Sequence, residues 1–238
     1  MARSASQAAR VRDLIHRAYV DPADAVAALP SERVLARELG VARGTVRAAL
    51  HQLESEGVLR STGGSGNVVV PHISKSFGLT SFTQDMSSRG WSSRSEVLEA
   101  AVEAASIQTA HELGIPTGSP YVRLRRLRLA DEVPFAIELV HLPDHVVPGL
   151  LSHDLSGSLY GILSEAYGIR IQRHERTVSA VNLDAQHADL LGVPEGSATL
   201  YAVQTGYDQA GRRIEFGRSL YRGDRFDFTT MSVAGGPG

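Results

Sequence analysis

Residues 29–70 read LPSERVLARELGVARGTVRAALHQLESEGVLRSTGGSGNVVV, and this run constrains the fold more than any other part of the sequence. Ser31 predicts the N-cap of a short helix, and Gly40 predicts its end. A second helix is predicted over residues 43–56, where apolar side chains form one stripe: Val46, Leu50 and Leu53. The strand, Gly-rich turn and strand that follow predict a β-hairpin.

A preceding helix is predicted over residues 3–19, because apolar side chains recur there at helical spacing: Ala8, Val11, Leu14, Ile15 and Ala18. Three helices followed by a hairpin describe a winged helix-turn-helix, which we assign to residues 1–70. The polar segment PHISKSFGLT is assigned as a linker over residues 71–80. Residues 81–230 are assigned to a second domain, and residues 231–238 to a disordered tail.

The second domain carries six strand-like patterns and three helical ones. The predicted strands are residues 95–104, 121–130, 134–142, 170–181, 198–208 and 212–221. The predicted helices are residues 106–113, 159–167 and 184–191. Strands dominate and hairpin turns join them, so the predicted fold class is α+β, with an antiparallel sheet and flanking helices. No internal repeat is expected.

Composition excludes several classes of protein. The 238 residues include no cysteine, which removes disulfides, zinc–thiolate sites and thiol nucleophiles. No apolar run approaches the ~20 residues of a membrane span, and the N-terminus lacks the apolar core of a signal peptide. We therefore expect a cytoplasmic protein with no membrane partner. No cofactor and no metal site are predicted, because the His and Asp residues between positions 141 and 153 match no ligand motif.

Arginines on the two short helices indicate what the first domain touches. Arg43 and Arg47 lie four residues apart and so share a helix face, opposite the apolar stripe. In a helix-turn-helix the second helix enters the major groove, where Arg reads guanine and Thr45 can contact a phosphate or a thymine methyl. Arg33 lies in the first turn of the preceding helix, where backbone N–H groups already favour a phosphate. The alternative is a merely solvated helix face.

The same run, with its segments LPSERVLA, RGTVRAAL, LESEG and GSG, resembles the DNA-binding domain of the GntR family of bacterial transcription regulators. The resemblance implies DNA contacts at five positions: Arg33, Arg43, Thr45, Arg47 and Gly66. Gly64 joins them, because a Gly-rich hairpin tip lets the backbone approach DNA. Ala42 stands where the family usually has Ser. Thr62 and Ser65 stand where it often has basic residues, so we expect weaker contacts from this hairpin.

The segment YVRLRRLRLADEVPFAIELVHLP predicts a hairpin in the second domain, with its turn near Glu132. Paired residue numbers then sum to about 264. This register sets Leu127 against Ile137 on one face of the hairpin. It also sets Leu129 against Phe135 on that face.

Arg126 and Arg128 lie on the opposite face of this hairpin, on an otherwise apolar surface. Guanidinium groups in such surroundings need partners. Glu138, across from Arg126, is one predicted partner, and a bound phosphate or carboxylate is the other. Two alternatives stay open: a purely structural Arg–Glu pair, and a one-residue register slip that would reverse the faces.

Several segments resemble the effector-binding domain of the HutC-type GntR subfamily, which shares the fold of chorismate lyase: LTSFTQDMSSRGW, LRRLRLAD, PFAIELVHLP, DLSGSLYGIL, LLGVPEGS and RRIEFGRSLYRGDRFDF. The resemblance covers residues 79–228. It implies effector contacts at Thr83, Arg126, Arg128, Glu138, Ser158, Tyr160, Glu215 and Tyr221. The arginine pair occurs widely in the subfamily, so it implies a small anionic metabolite, either phosphosugar-like or a carboxylate.

Two separate cationic sites on two domains predict a ligand-responsive transcription regulator, expected to be a repressor. We expect it to bind an inverted-repeat operator in double-stranded DNA, as a homodimer joined through the C-terminal domain. A small anionic effector is expected to release or modulate it. It is not expected to be an enzyme. Two alternatives stay open: a lyase-like activity in the C-terminal domain, which the fold resemblance permits, and a DNA-binding scaffold with no ligand.

Overall fold

The computed structural model describes residues 7–20, 28–55, 58–61, 66–69, 73–76, 81–88 and 90–229. The chain divides into two compact units, residues 1–71 and residues 72–238. No helix among the described residues is both long and apolar enough to cross a membrane.

The N-terminal unit contains three helices and a hairpin: α1 (Gln7–Tyr19), α2 (Glu32–Leu39), α3 (Arg43–Ser55), β1 (Leu59–Ser61) and β2 (Asn67–Val69). The two strands pair antiparallel. One apolar core joins all three helices to β1: Val11, Ile15, Leu29, Leu35, Ala36, Val46, Ala49, Leu50, Leu53 and Leu59. The predicted winged helix-turn-helix is therefore confirmed, and the predicted stripe on α3 is its buried face.

The ends of α2 follow the sequence signals in position but not in every contact. Gly40 is left-handed, with φ of 63°, and its N–H donates to the carbonyl of Ala36. Ser31 stands at the N-cap position, but its hydroxyl makes no capping hydrogen bond. Its carbonyl accepts instead from the N–H groups of Val34 and Leu35, at 2.8 and 3.0 Å. The expected side-chain cap is therefore wrong.

The C-terminal unit is a six-stranded sheet with helices on both faces. Its elements are β3 (Ile73–Ser76), α4 (Phe82–Ser88), β4 (Ser93–Ala104), α5 (Ile107–Leu113), β5 (Pro120–Ala130), β6 (Val133–Pro143), α6 (Leu159–Tyr167), β7 (Ile171–Asn182), α7 (Ala185–Leu191), β8 (Ala198–Asp208), β9 (Arg213–Arg222) and β10 (Phe226–Thr229). The sheet order is β4-β5-β6-β9-β8-β7, and every pair in it is antiparallel. The predicted α+β class is confirmed.

The segment assigned as a linker is not entirely a linker. Strand β3 lies within residues 71–80, and it pairs in parallel with β10 outside the main sheet. This pairing ties β3 to the C-terminal unit. The tail assigned to residues 231–238 lies outside the described residues.

The main sheet is built from two similar halves, which the sequence reading did not expect. The order β4-α5-β5-β6 recurs as β7-α7-β8-β9, and the sheet order places the halves symmetrically. The turn LGIPTGSP after α5 returns as LGVPEGSA after α7, 78 residues later. In the first turn Gly118 N–H donates to the carbonyl of Ala105, and in the second Gly196 N–H donates to that of Leu183. The expectation of no internal repeat is therefore wrong.

The helices divide between the two faces of the sheet. Val122 and Leu124 of β5 pack with α6, in a cluster that includes Leu163. Leu127 of the same strand packs on the other face, with Leu191 of α7. Helix α4 shares the face of α6 and helix α5 shares that of α7. Alternate side chains of β5 therefore enter two separate apolar cores, because successive side chains of a strand point to opposite faces of the sheet.

The register of the β5–β6 hairpin is as predicted except near its turn. Leu127 pairs with Ile137, as expected from the sum of 264. Leu129, however, pairs with Pro134 and not with Phe135, because a β-bulge follows Arg128. The extra residue, Phe135, is fully buried and packs in the cluster of α4. The predicted Leu129–Phe135 contact is therefore wrong.

Candidate functional site

Two of the arginines predicted to contact DNA lie at the start of α3. The side chains of Arg43 and Arg47 are 61% and 58% exposed. They flank the buried stripe and do not lie opposite it as predicted, because 3.6 residues per turn set neighbouring positions about 100° apart. Thr45 is half-buried between them, and Arg33 is exposed near the start of α2. The hairpin glycine Gly66 has φ of 133°. The other predicted hairpin contact, Gly64, lies outside the described residues.

One carboxylate, missed by the sequence reading, holds both of these arginines. Glu32 accepts from Arg47 through two bonds, Nε to Oε1 at 3.0 Å and Nη2 to Oε2 at 2.9 Å. Arg43 Nη2 lies 3.7 Å from Oε2. The hydrogen bonds from Arg47, above all, lower the pKa of Glu32. Glu32 follows the predicted N-cap Ser31 in the sequence, and no local pattern links it to Arg43 and Arg47. Only the turn between α2 and α3 brings it to the two arginines.

A second pair of arginines is buried in the C-terminal unit. Arg126 and Arg128 on β5 are only 1% and 5% exposed. Both reach Oε2 of Glu138, directly across on β6. Arg126 donates to it from Nε at 3.2 Å and from Nη2 at 2.5 Å, and Arg128 donates from Nη1 at 3.4 Å. The predicted Arg–Glu pairing across the hairpin is confirmed.

One carboxylate against two buried guanidinium groups leaves positive charge without a counter-charge. Burial, above all, lowers the pKa of Arg128, although arginine stays protonated in proteins. Its guanidinium lies over the ring of Phe82, 4.7 Å from the centroid, and Nη2 donates to Thr83 Oγ1 at 3.3 Å. Among the described residues, its buried Nε has no hydrogen-bond partner. The arrangement is therefore suited to an anion.

These groups line a cavity whose empty volume, its open mouth included, is about 470 Å³. Its walls are Ser81, Phe82, Arg126, Arg128, Glu138, Val140, Ser158, Leu159, Tyr160, His174, Arg176, Gln204, Glu215 and Tyr221. All the predicted effector contacts are among them except Thr83, which lies behind Arg128 and bonds to it.

Seven lining residues were not predicted as effector contacts, and three of them form one hydrogen-bonded group: His174, Arg176 and Gln204. Arg176 donates from Nε and Nη2 to Gln204 Oε1, at 3.0 and 2.7 Å. Its Nη2 also lies 3.4 Å from Nδ1 of His174. His174 and Arg176 lie on β7 and Gln204 lies on β8, and nothing local in the sequence distinguished them from ordinary half-buried strand residues.

The missed residues close a ring of hydrogen bonds with two predicted ones. Gln204 Nε2 donates to Glu215 Oε1 at 2.6 Å, and Tyr160 OH donates to the same oxygen at 3.2 Å. Tyr160 OH also lies 2.9 Å from Nε2 of His174. Because arginine can only donate, His174 Nδ1 accepts from Arg176 and Nε2 carries the proton. The ring fixes Tyr160 and Glu215 in place.

Glu215 is the unsatisfied member of this ring. It is 1% exposed, and its Oε2 has no hydrogen-bond partner among the described residues. Burial, above all, raises the pKa of Glu215. An unpartnered buried acceptor is costly, so Oε2 is a place for a ligand hydroxyl or ammonium group.

The cavity has unlike walls because its two halves have diverged. Gln204 and Gly206 stand 78 residues after Arg126 and Arg128, and so replace the cations in the second half. The first half supplies Arg126, Arg128 and Glu138, and the second supplies Arg176, Glu215 and neutral donors and acceptors, so the excess of positive charge lies in the first half. The N-terminus of α6, capped by Ser158 Oγ accepting from the Gly161 N–H at 3.1 Å, adds a positive dipole end. A ligand with unlike ends therefore has one favoured orientation.

The described residues hold no group of three or more His, Asp or Glu side chains that could bind a metal ion.

Family models account for both units. Residues 5–69 match the model described as bacterial regulatory proteins, gntR family, and residues 88–227 match that of the UTRA domain. The first match lies in the N-terminal unit, and the second lies in the C-terminal unit.

Similar proteins are named as transcription regulators, not as enzymes. The chain is 35% identical to the HTH-type transcriptional repressor NagR of Bacillus subtilis, over 84% of this chain and 83% of NagR. It is 34% identical to the repressor PhnF of Mycolicibacterium smegmatis, over 86% and 84%. It is 31% identical to the mannosyl-D-glycerate transport/metabolism system repressor MngR of Escherichia coli, over 94% and 92%.

A solved structure supports the fold along nearly the whole chain. The crystal structure of PhnF from Mycobacterium smegmatis aligns with a TM-score of 0.68 and 32% identity, covering 94% of this chain and all of that one. The helix-turn-helix unit, the chorismate-lyase-like sheet and these relatives all indicate one family. The chain belongs to the GntR family of DNA-binding transcriptional repressors, in the HutC-type group that carries a UTRA domain.

Proposed function

We propose that this repressor acts in the cytoplasm as a homodimer on an inverted-repeat operator, and that a small anionic effector sets its affinity for DNA. The observation that carries the effector half is the buried arginine pair sharing one glutamate. Membership in the family already supplies the DNA-binding half.

The effector we propose has an acidic end and a polar end. Its phosphate or carboxylate would lie against Arg126 and Arg128, where a bidentate guanidinium contact is strongest. A hydroxyl or ammonium group at its other end would donate to Glu215. One relative, MngR, is named for a mannosyl-D-glycerate system, and glycerate is a carboxylate. Sugar phosphates and sugar acids are therefore the classes to test first.

The proposed base contacts are Arg43, Thr45 and Arg47. Arg33 and the hairpin glycines are proposed to contact the DNA backbone. A two-fold dimer would present two such surfaces to the two halves of a palindrome. For the effector to release DNA, it must bind the released arrangement better, typically by 1–3 kcal/mol of coupling.

A thermal-shift screen of the full chain tests the effector. Sugar phosphates and sugar acids are the probes, and neutral sugars are the control. A ligand at about 100 times its Kd should add about 2.7 kcal/mol of stability. In Arg128→Met, which keeps an apolar stem but loses the charge, the same ligand should give no shift from that variant's own baseline. Equal shifts in the two proteins would overturn the proposed anion site.

Gel-shift titration on the DNA upstream of the chain's own coding region tests the operator. Arg43→Ala should weaken binding by about 5-fold to 150-fold, because one base contact is worth about 1–3 kcal/mol. Sedimentation should give twice the 25.5 kDa of one chain. Unchanged affinity in Arg43→Ala, or a monomer on a single half-site, would contradict this part of the proposal.

A further inference from the structure

The exposed arginine pair on α3 is arranged by a negative charge, which is unexpected on a surface that binds DNA. Glu32, Arg43 and Arg47 together carry one net positive charge instead of two. A carboxylate among the reading arginines weakens the attraction to phosphates that drives sequence-independent binding. A compensating gain is therefore needed, and the geometry of the pair supplies one.

A guanidinium group has two edges that can form paired hydrogen bonds. One edge is Nε with Nη2, and the other is Nη1 with Nη2. Glu32 takes the first edge of Arg47, with one oxygen on each nitrogen, at 3.0 and 2.9 Å. Among the described residues, Arg47 hydrogen-bonds through that edge alone. The second edge is left for O6 and N7 of a guanine.

We propose that Glu32 is a positioning residue for base recognition: it stays bonded to the Nε–Nη2 edge of Arg47 when DNA binds, and so turns the Nη1–Nη2 edge toward a guanine. The charge of Glu32 lowers the affinity for DNA of any sequence, while its positioning of Arg47 favours the operator over other sequences. The inference rests on the proposed DNA contact of Arg47. The hydrogen bonds from Arg47, which lower the pKa of Glu32, keep the carboxylate charged at neutral pH.

The test compares specific with non-specific affinity. An operator duplex is first selected from a random pool with the unaltered protein, and a scrambled duplex of equal length is the reference. Both are titrated at one salt concentration with Glu32→Gln. We expect operator binding to weaken about tenfold and scrambled-duplex binding to tighten by up to a few-fold. The ratio of the two affinities should therefore fall more than tenfold.

Glu38→Gln is the matched control. Glu38 is exposed on the same helix, but it accepts from Tyr19 OH and not from an arginine of α3. Its neutralisation should tighten both duplexes by the same small factor. Glu32→Asp keeps the charge but shortens the side chain by one methylene, so it should lose specificity without gaining general affinity.

A modified base in the operator tests directly whether Glu32 positions Arg47. Replacing guanines of the operator one at a time by 7-deazaguanine removes the N7 acceptor. The unaltered protein should lose affinity at one guanine of each half-site, and Glu32→Gln should lose much less at that position. Melting curves of every variant, and titration of its active fraction, correct for any loss of folded protein.

Two outcomes would overturn the inference. If Glu32→Gln tightens operator and scrambled duplex equally, Glu32 merely opposes DNA binding. If the affinity ratio is unchanged, it positions nothing. Arg47→Ala separates this failure from that of the proposed function. If Arg47→Ala leaves operator affinity unchanged, the DNA contact itself is wrong; if it weakens binding while Glu32→Gln keeps the ratio, only the role of Glu32 is.

Discussion

The two units of this repressor treat charge in opposite ways. Among the described residues, the buried side chains of the N-terminal unit are all apolar. The C-terminal unit buries a long series of polar and charged ones: Ser95, Thr109, Arg126, Arg128, His141, Thr199, Asp208, Glu215, Ser219, Arg222 and Arg225. The arginines described in the first unit are exposed or half-buried, whereas several arginines of the second unit are buried.

The same small motif, two arginines on one glutamate, occurs in both settings. In water, the Arg43 and Arg47 pair on Glu32 contributes little stability and can exchange partners. Inside the sheet domain, the Arg126 and Arg128 pair on Glu138 is desolvated, so its loss is costly. Whether such a motif is suited to contact a partner or to stabilise the fold therefore depends on its solvation and not on its composition.

The largest expected effect separates the two glutamates. Glu138→Gln should destabilise the C-terminal unit by about 3 kcal/mol, because it leaves two buried guanidinium groups without a carboxylate. Glu32→Gln should cost less than about 1 kcal/mol. Denaturant unfolding of the two variants measures both values. Similar losses would break the contrast between the units.

Acid should weaken the sheet domain through His141. Burial, above all, lowers the pKa of His141 to about 4, with Arg218 contributing, and neither ring nitrogen has a hydrogen-bond partner among the described residues. The unfolded chain takes up this proton near pH 6.5, and the folded chain near pH 4. Stability should therefore fall as the pH falls between these values, by about 2 kcal/mol at pH 4.5.

His141→Phe isolates that effect. Glu215 acts in the opposite sense, because a raised pKa lets the folded state bind a proton first, so only the difference between the two proteins is informative. The unfolding free energy of His141→Phe should have a shallower pH dependence between pH 6.5 and 4.5, whatever its absolute value. Parallel pH profiles would exclude His141 as the cause.

The salt dependence of DNA binding should distinguish exposed Arg33 from buried Arg128. The expected effect is smaller than the stability changes above. Arg33→Ala should weaken DNA binding about equally on all sequences and reduce the slope of log K against log salt by about 1, as expected for one lost phosphate contact. Arg128→Ala should leave the slope unchanged. Titrations at several salt concentrations give both slopes, and a changed slope in Arg128→Ala would contradict the separation.

The smallest expected difference concerns two serines at helix starts. Ser158 Oγ accepts from a backbone N–H of α6, so Ser158→Ala should cost about 1 kcal/mol. Ser31 makes no such bond, and Ser31→Ala should cost only a few tenths of a kcal/mol. Thermal unfolding without ligand measures both. Equal costs would mean that the Ser31 hydroxyl caps α2 in solution.

Local rules predicted most of the N-terminal unit and the β5–β6 hairpin. Helical spacing predicted that Val46 is buried and Arg47 is exposed, and strand alternation turned Arg126 and Arg128 inward. These features depend on residues a few positions apart, where period and turn chemistry decide the geometry.

What the sequence did not reveal depends on distant residues. The ring joining Tyr160, His174 and Glu215 spans three elements, and no local pattern specifies it. The bulge at Phe135 follows from packing against Phe82, whose position depends on the fold of the whole unit. The repeat was missed because the halves share a turn motif but few side chains on their strands.

The doubled architecture also bears on ancestry. A unit of one strand, one helix and two further strands leaves an open sheet edge and cannot enclose a cavity alone. Two copies joined through β6 and β9 cover each other's inner edge, and together they line one cavity. Such an arrangement is what duplication and fusion of a shorter gene would leave. After such a duplication, mutations in one copy would no longer change the other, so one cavity would be free to acquire Arg126 on one side and Gln204 on the other.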